Sequence, residues 1–127
     1  MEKLENKVSA DILDCSIEIH RTLGPGLLES VYERCLAYEL RKRGHSVLGQ
    51  LPIPLQYKEL NFDMAFRLDM LVDDCVIVEV KAVENLAPVH FAQTFTYLKM
   101  TDKRLGLLIN FKTKLLKDGF HRIVNNL

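Results

Sequence analysis

The stretch FRLDMLVDDCVIVEVKA, Phe66 to Ala82, holds two apolar runs separated by Asp73-Asp74. Runs of branched aliphatic residues around a turn-forming dipeptide predict a β-hairpin, with strands over Phe62–Val72 and Cys75–Ala82. Alternate side chains of a strand share a face, so Glu79 and Lys81 point together with Ile77, while Val76, Val78 and Val80 point the other way. Glu and Lys are almost never fully buried unless paired. An ion pair, or two charges reaching water at a strand end, is one account of them. Such a pair contributes little stability, because desolvation offsets most of its attraction.

The other account needs a second acid nearby. Asp69, the only charged residue between Arg67 and Asp73, supplies it. A turn at Asp73-Asp74 brings Asp69 to the level of Glu79 or one pair beyond, so two carboxylates and a lysine converge. That set fits phosphodiester hydrolysis. Hard oxygen ligands hold Mg2+ or Mn2+, the metal polarises a phosphate and acidifies a bound water, and a lysine orients that water or offsets developing charge.

Outward from the hairpin, Leu4, Val8, Ile12, Cys15, Ile19 and Leu23 recur at steps of three and four and predict an amphipathic helix, closed by Gly24-Pro25. A second helix is expected from Leu27 to Arg43, burying Leu28, Val31, Cys35, Leu36 and Leu40, with Glu29 in its first turn and Arg41-Lys42-Arg43 in its last. Pro52 and Pro54 interrupt SVLGQLPIPLQYK, which suits an edge strand or two short strands. Pro88 opens a third helix to about Met100, RLGLLINF is a buried strand, and GFHRIVNN adds an edge strand. Strands followed by a helix and another strand predict an α/β fold, a mixed β-sheet flanked by α-helices.

The 127 residues carry no repeat and make one domain over 1–127. With 48% hydrophobic and 27% charged residues, the chain resembles a folded protein far more than a disordered one. Three cysteines without CxxC spacing read as buried thiols of a reducing compartment. No run approaches the roughly 20 apolar residues of a membrane span, and no signal-peptide core is present, so a cytoplasmic location is expected and no membrane partner. His20, His45, His90 and His121 lack zinc-site spacing.

Two motifs add a resemblance. Asp69, a turn, then Glu79-Val80-Lys81 is similar to the D…(D/E)xK signature of the PD-(D/E)XK nuclease superfamily, and Gly26-Leu27-Leu28-Glu29-Ser30-Val31-Tyr32 resembles the pattern of the GxxExxY family, small bacterial proteins placed in that superfamily. The similarity runs through IHRTLGPGLLESVYE, FRLDMLV, VIVEVKA and GLLINF, nearly the whole chain. Gln93 and Tyr97 resemble the QxxxY motif of exonuclease branches. The resemblance implies a restriction-endonuclease-like fold and a metal-dependent nuclease. Asp69 and Glu79 become metal ligands, with the Val80 carbonyl as a third and Glu29 completing the site, often through water. Lys81 becomes the catalytic lysine, Gln93 positions the site, and Tyr97 supports it or contacts substrate. Tyr32 is expected to hold Glu29 or line the cleft. Leu68 stands where the superfamily's name has Pro, which is not a ligand.

His90 precedes Gln93 by a helical turn and is a further candidate for the cleft. Arg67 is either a phosphate contact or part of an ion pair with Asp69 or a neighbour. Seventeen Lys and Arg balance seventeen Asp and Glu, so any attraction for nucleic acid, DNA above all, is local, and a homodimer or partner protein is expected to supply specificity. A non-catalytic binding or assembly module that keeps the nuclease core is the alternative.

Overall fold

The computed structural model describes residues 2–127. Helices Leu4–Leu23 (α1) and Glu29–Lys42 (α2) precede strands Val47–Tyr57 (β1), Leu60–Val72 (β2) and Val76–Lys81 (β3). Helix Pro88–Thr101 (α3) then crosses to strand Leu105–Asn110 (β4), and a 3-10 turn at Leu116–Gly119 leads into Phe120–Val124 (β5). The strands lie in the order β1-β2-β3-β4-β5, parallel between β3 and β4 and antiparallel elsewhere. The result is the expected mixed sheet flanked by helices, a restriction-endonuclease-like α/β fold.

Each face of the sheet has its own core. Val76, Val78 and Val80 of β3 and Leu105, Leu107 and Ile109 of β4 pack beneath α1 and α2. Ile77 joins Leu68, Leu71 and Leu98 on the α3 side. A parallel pair covered on both faces reads as continuous apolar sequence, which is why β4 is buried along its whole length. Gly106 permits the close approach of α3, since a Cβ there would stand 2.9 Å from the Thr94 methyl.

The first helix has the expected bounds, with Val8, Ile12, Cys15 and Ile19 buried. Gly24 follows at φ +76 and closes the last turn through its N–H to the His20 carbonyl at 2.8 Å. The second helix differs from expectation in phase. Its buried stripe is Tyr32, Leu36, Ala37 and Leu40, whereas Leu28 is 75% exposed and Val31 lies on the surface. Tyr32 claims the core position because its ring stacks on Phe111 with centroids 4.5 Å apart. A stripe counted on aliphatic residues alone is rotated away from it.

The proline-bearing segment forms one edge strand, with an irregularity between Ile53 and Leu55 where Pro54 sits. The central hairpin turns at Asp73-Asp74, both at positive φ, and Cys75 N–H bonds the Val72 carbonyl at 3.0 Å. His45 locks this turn to the rest. Its Nδ1 lies 2.6 Å from Asp73 Oδ2 and its Nε2 2.7 Å from Asp11 Oδ2, so α1, the α2–β1 turn and the β2–β3 turn meet at one ring. Burial opposes the imidazolium, but the bonds to Asp73 and Asp11 outweigh it and raise the His45 pKa.

β2 pairs with β3 only over Met70–Val72, so Leu60–Leu68 pairs with β1 alone. The β1–β2 ribbon therefore runs past the end of β3. The place where β2 leaves β3 is where the charged residues stand.

Candidate active site

The antiparallel ladder between β2 and β3 ends at Met70 and Val78. The next pair would be Asp69 and Glu79, and there side chains replace the backbone ladder. The Asp69 N–H donates to Glu79 Oε2 at 2.9 Å, and the Val80 N–H donates to Asp69 Oδ2 at 2.8 Å. Side-chain alternation also breaks at this point. Leu68 and Leu71 belong to the α3-side core, whereas Met70 and Val72 belong to the other. Gln50, opposite Asp69 between the pairs Gly49–Met70 and Leu51–Leu68, adopts φ +49. An irregularity in both strands thus brings Asp69 onto the end of β3.

The two carboxyls face each other in a dry place. Glu79 is 7% exposed, and burial followed by the Asp69 charge pushes its pKa up to about 8, against the pull of the Asp69 N–H and Lys81. Burial also raises Asp69, opposed by the Val80 N–H and by Lys81. Without a cation, burial and mutual repulsion favour a proton on the pair. Lys81 is half-buried and favours both carboxylates, yet among the described residues it forms no ion pair within 4.0 Å. The simple Glu79–Lys81 ion pair, one of the two accounts of this strand, is absent.

The other expected residues divide. Glu29 opens α2 and its Oε2 accepts the Ala82 N–H at 3.1 Å, which ties the helix start to the residue after Lys81. Its charge is felt by Asp69. Among the described residues no three His, Cys, Asp or Glu side chains are grouped as a direct metal cage. Tyr97 lies within reach of the acidic pair's charges. Its ring stacks on Phe66 with centroids 4.4 Å apart, and burial together with the Glu79 and Asp69 charges raises its hydroxyl pKa. Gln93 is exposed and makes no side-chain hydrogen bond among the described residues.

Two expectations require correction, and a third is narrowed. Tyr32 neither bonds Glu29 nor lines the cleft: fully buried, its hydroxyl donates to the Gly24 carbonyl and accepts the Leu27 N–H, bracing the turn before Glu29. His90 caps α3, its Nδ1 accepting the Ala87 N–H at 3.0 Å, because a residue at the third helical position can reach back to the cap. Arg67 is exposed and donates to Met64 Sδ at 3.6 Å. It forms no ion pair with Asp69 or another carboxylate among the described residues, which removes that alternative and leaves the phosphate contact.

Glu33 escaped the sequence reading. It lies one turn after Glu29, accepts a hydrogen bond from Gln50, and has its pKa raised by burial and by the Asp69 and Glu29 charges. The signal was available: Glu29 and Glu33 stand four apart on one helix face.

A five-stranded mixed sheet flanked by helices, with an Asp and a Glu facing each other where its central hairpin opens, is a restriction-endonuclease-like fold. Residues 6–123 match the family described as the PD-(D/E)XK nuclease superfamily, and the chain belongs to it. Membership implies an interaction with nucleic acid and, as is typical of these nucleases, a divalent metal. No curated protein and no solved structure matches the chain.

The residues present fit such a cation. Asp69 Oδ1 and Glu79 Oε1 accept no N–H, and the two side chains hydrogen-bond each other while the pair holds a proton. Their carboxylate oxygens are hard donors whose negative charge is disfavoured until a positive charge arrives.

Proposed function

We propose that the protein is a Mg2+- or Mn2+-dependent nuclease that hydrolyses phosphodiester bonds in DNA. We place it in the bacterial GxxExxY group, on the match of Gly26, Glu29 and Tyr32 to that pattern, and in the cytoplasm. The reading is carried by the Asp69–Glu79 pair, two adjacent carboxyls held at the end of β3 with Lys81 beside them and uncommitted to either.

Asp69 and Glu79 are the ligands, with the Val80 carbonyl as a third and Glu29 acting from outside through Ala82. A divalent cation there supplies Lewis-acid polarisation of the phosphate and acidifies a water molecule. The Val80 N–H and Asp69 N–H fix the two carboxylates, so little reorganisation is needed when the substrate arrives. Lys81 orients the attacking water or offsets charge developing on the phosphate. The Tyr97 ring, stacked on Phe66, lies within reach of the Glu79 and Asp69 charges and is placed to support the site or contact substrate. No helix among the described residues is long and apolar enough to cross a membrane.

The non-catalytic reading draws support from one observation, the capture of Asp69 Oδ2 and Glu79 Oε2 by backbone N–H groups. Incubation with linear, nicked and single-stranded DNA and with RNA in Mg2+ or Mn2+ separates the two. Cleavage that disappears in Lys81→Ala supports the nuclease. Cleavage that survives in Lys81→Ala, or no cleavage of any substrate, counts against it.

A further inference from the structure

Arg34, Tyr38 and Lys42 stand four residues apart and form one stripe along α2. They border a groove of about 970 Å³ between α2 and β1. Glu33 and Gln50 lie at its inner end, beside Asp69, and Arg41 and Lys42 at its outer end. The groove is open because Ala37 of α2 and Gly49 of β1, two of the smallest side chains, line it between those ends. A Cβ on Gly49 would meet nothing nearer than the Asp69 carbonyl at 3.9 Å.

Arg34 and Lys42, like most Lys and Arg of the chain, have no ion pair among the described residues, so their charges are available to a ligand. Lys42 and Arg41 suit a helix C-terminus and need no ligand to explain them. Arg34 sits in mid-helix, where that explanation fails. Tyr38 is 60% exposed, with Lys42 Nζ 5.3 Å from its ring centroid. An exposed aromatic ring between two cations is the arrangement that binds a single strand, with bases stacking on the ring and phosphates meeting the cations. A duplex buries its base faces and leaves Tyr38 without a partner.

We propose that this groove takes a single strand of nucleic acid, with a base stacked on Tyr38 and phosphates on Arg34 and Lys42, and leads it to Asp69. The proposal rests on the nuclease reading of that site. It also accounts for recognition by a chain with no net charge, since cations placed along one groove replace a bulk excess.

The test is fluorescence anisotropy of labelled oligothymidylate and of a labelled duplex of equal length, in EDTA and across a NaCl series. The single strand binds more tightly. Tyr38→Ala weakens it about 5- to 100-fold and Tyr38→Phe restores it. Arg34→Ala with Lys42→Ala lowers the slope of log affinity against log salt by about 1.4. Alanine at the exposed basic residues Arg21, Lys114 and Lys117 leaves both quantities unchanged. Binding indifferent to the groove variants, a preference for duplex, or no binding at all overturns the proposal. Groove-dependent binding without cleavage in Mg2+ upholds the groove and sinks the nuclease reading, and cleavage with groove-indifferent binding does the reverse.

Discussion

Replacing Glu79 by Gln isolates the cost of placing two carboxyls in one dry site. The Gln amide oxygen can accept the Asp69 N–H as Glu79 Oε2 does, and its NH2 can donate to the Asp69 carboxylate, so packing is retained while one negative charge is removed. Glu79 titrates at about 8 in the folded chain against an ordinary 4.5. The folded state thus holds a proton that the unfolded state has lost, and stability falls as pH rises between those values. At about 1.4 kcal/mol per pH unit, the full span corresponds to at most roughly 5 kcal/mol. Urea unfolding in EDTA at pH 8.5 should therefore find Glu79→Gln more stable than the wild type by several kcal/mol, with the gap closing as pH falls toward 4.5. Mg2+ narrows the gap, because a ligand at 100 times its Kd adds about 2.7 kcal/mol to the protein that binds it. Equal stability of the two proteins at pH 8.5 in EDTA would refute the reasoning, since Glu79 would then bear its charge at no cost.

His45→Asn should lower stability at pH 6 by about 2 kcal/mol, the scale of a hydrogen bond to a charged group. Because the folded His45 pKa is raised, its contribution is full below about 6.5 and is lost as pH rises through the folded value, so thermal midpoints of mutant and wild type should converge in alkali. Persistence of the whole difference at high pH would argue for packing instead of charge. Tyr32→Phe keeps the stack on Phe111 but strips the hydroxyl from Gly24 and Leu27, and should cost about 1 to 2 kcal/mol and slow cleavage by loosening the turn that presents Glu29. An unchanged denaturation midpoint would show that the brace is idle. Gly106→Ala forces a methyl toward Thr94 and should cost about 1 to 3 kcal/mol in chemical denaturation, with neutrality excluding the close packing of α3 on β4.

Periodicity sufficed for most of the fold. The step-of-four stripe of α1, the Gly24-Pro25 stop and the Asp73-Asp74 turn are all local signals, and the structure follows them. The phase of α2 was not local. Tyr32 is drawn inward by Phe111, a partner that sequence spacing does not reveal. At the site, the approach of Asp69 to Glu79 followed from counting back from the turn. The break in alternation that brings Asp69 onto β3 did not, because it depends on Gln50 in the neighbouring strand. His90 shows the opposite error, a residue one turn before Gln93 whose ring turns back to the helix cap. Glu33 was missed because its significance comes from β1, through Gln50.

Calorimetric titration of Mn2+ or Mg2+ into the wild-type protein and into Asp69→Ala tests the central claim most directly. The account predicts saturable binding by the wild type, with heat from proton release as Glu79 ionises, and loss of binding in Asp69→Ala. Absence of binding in the wild type, or equal binding by both proteins, would contradict it.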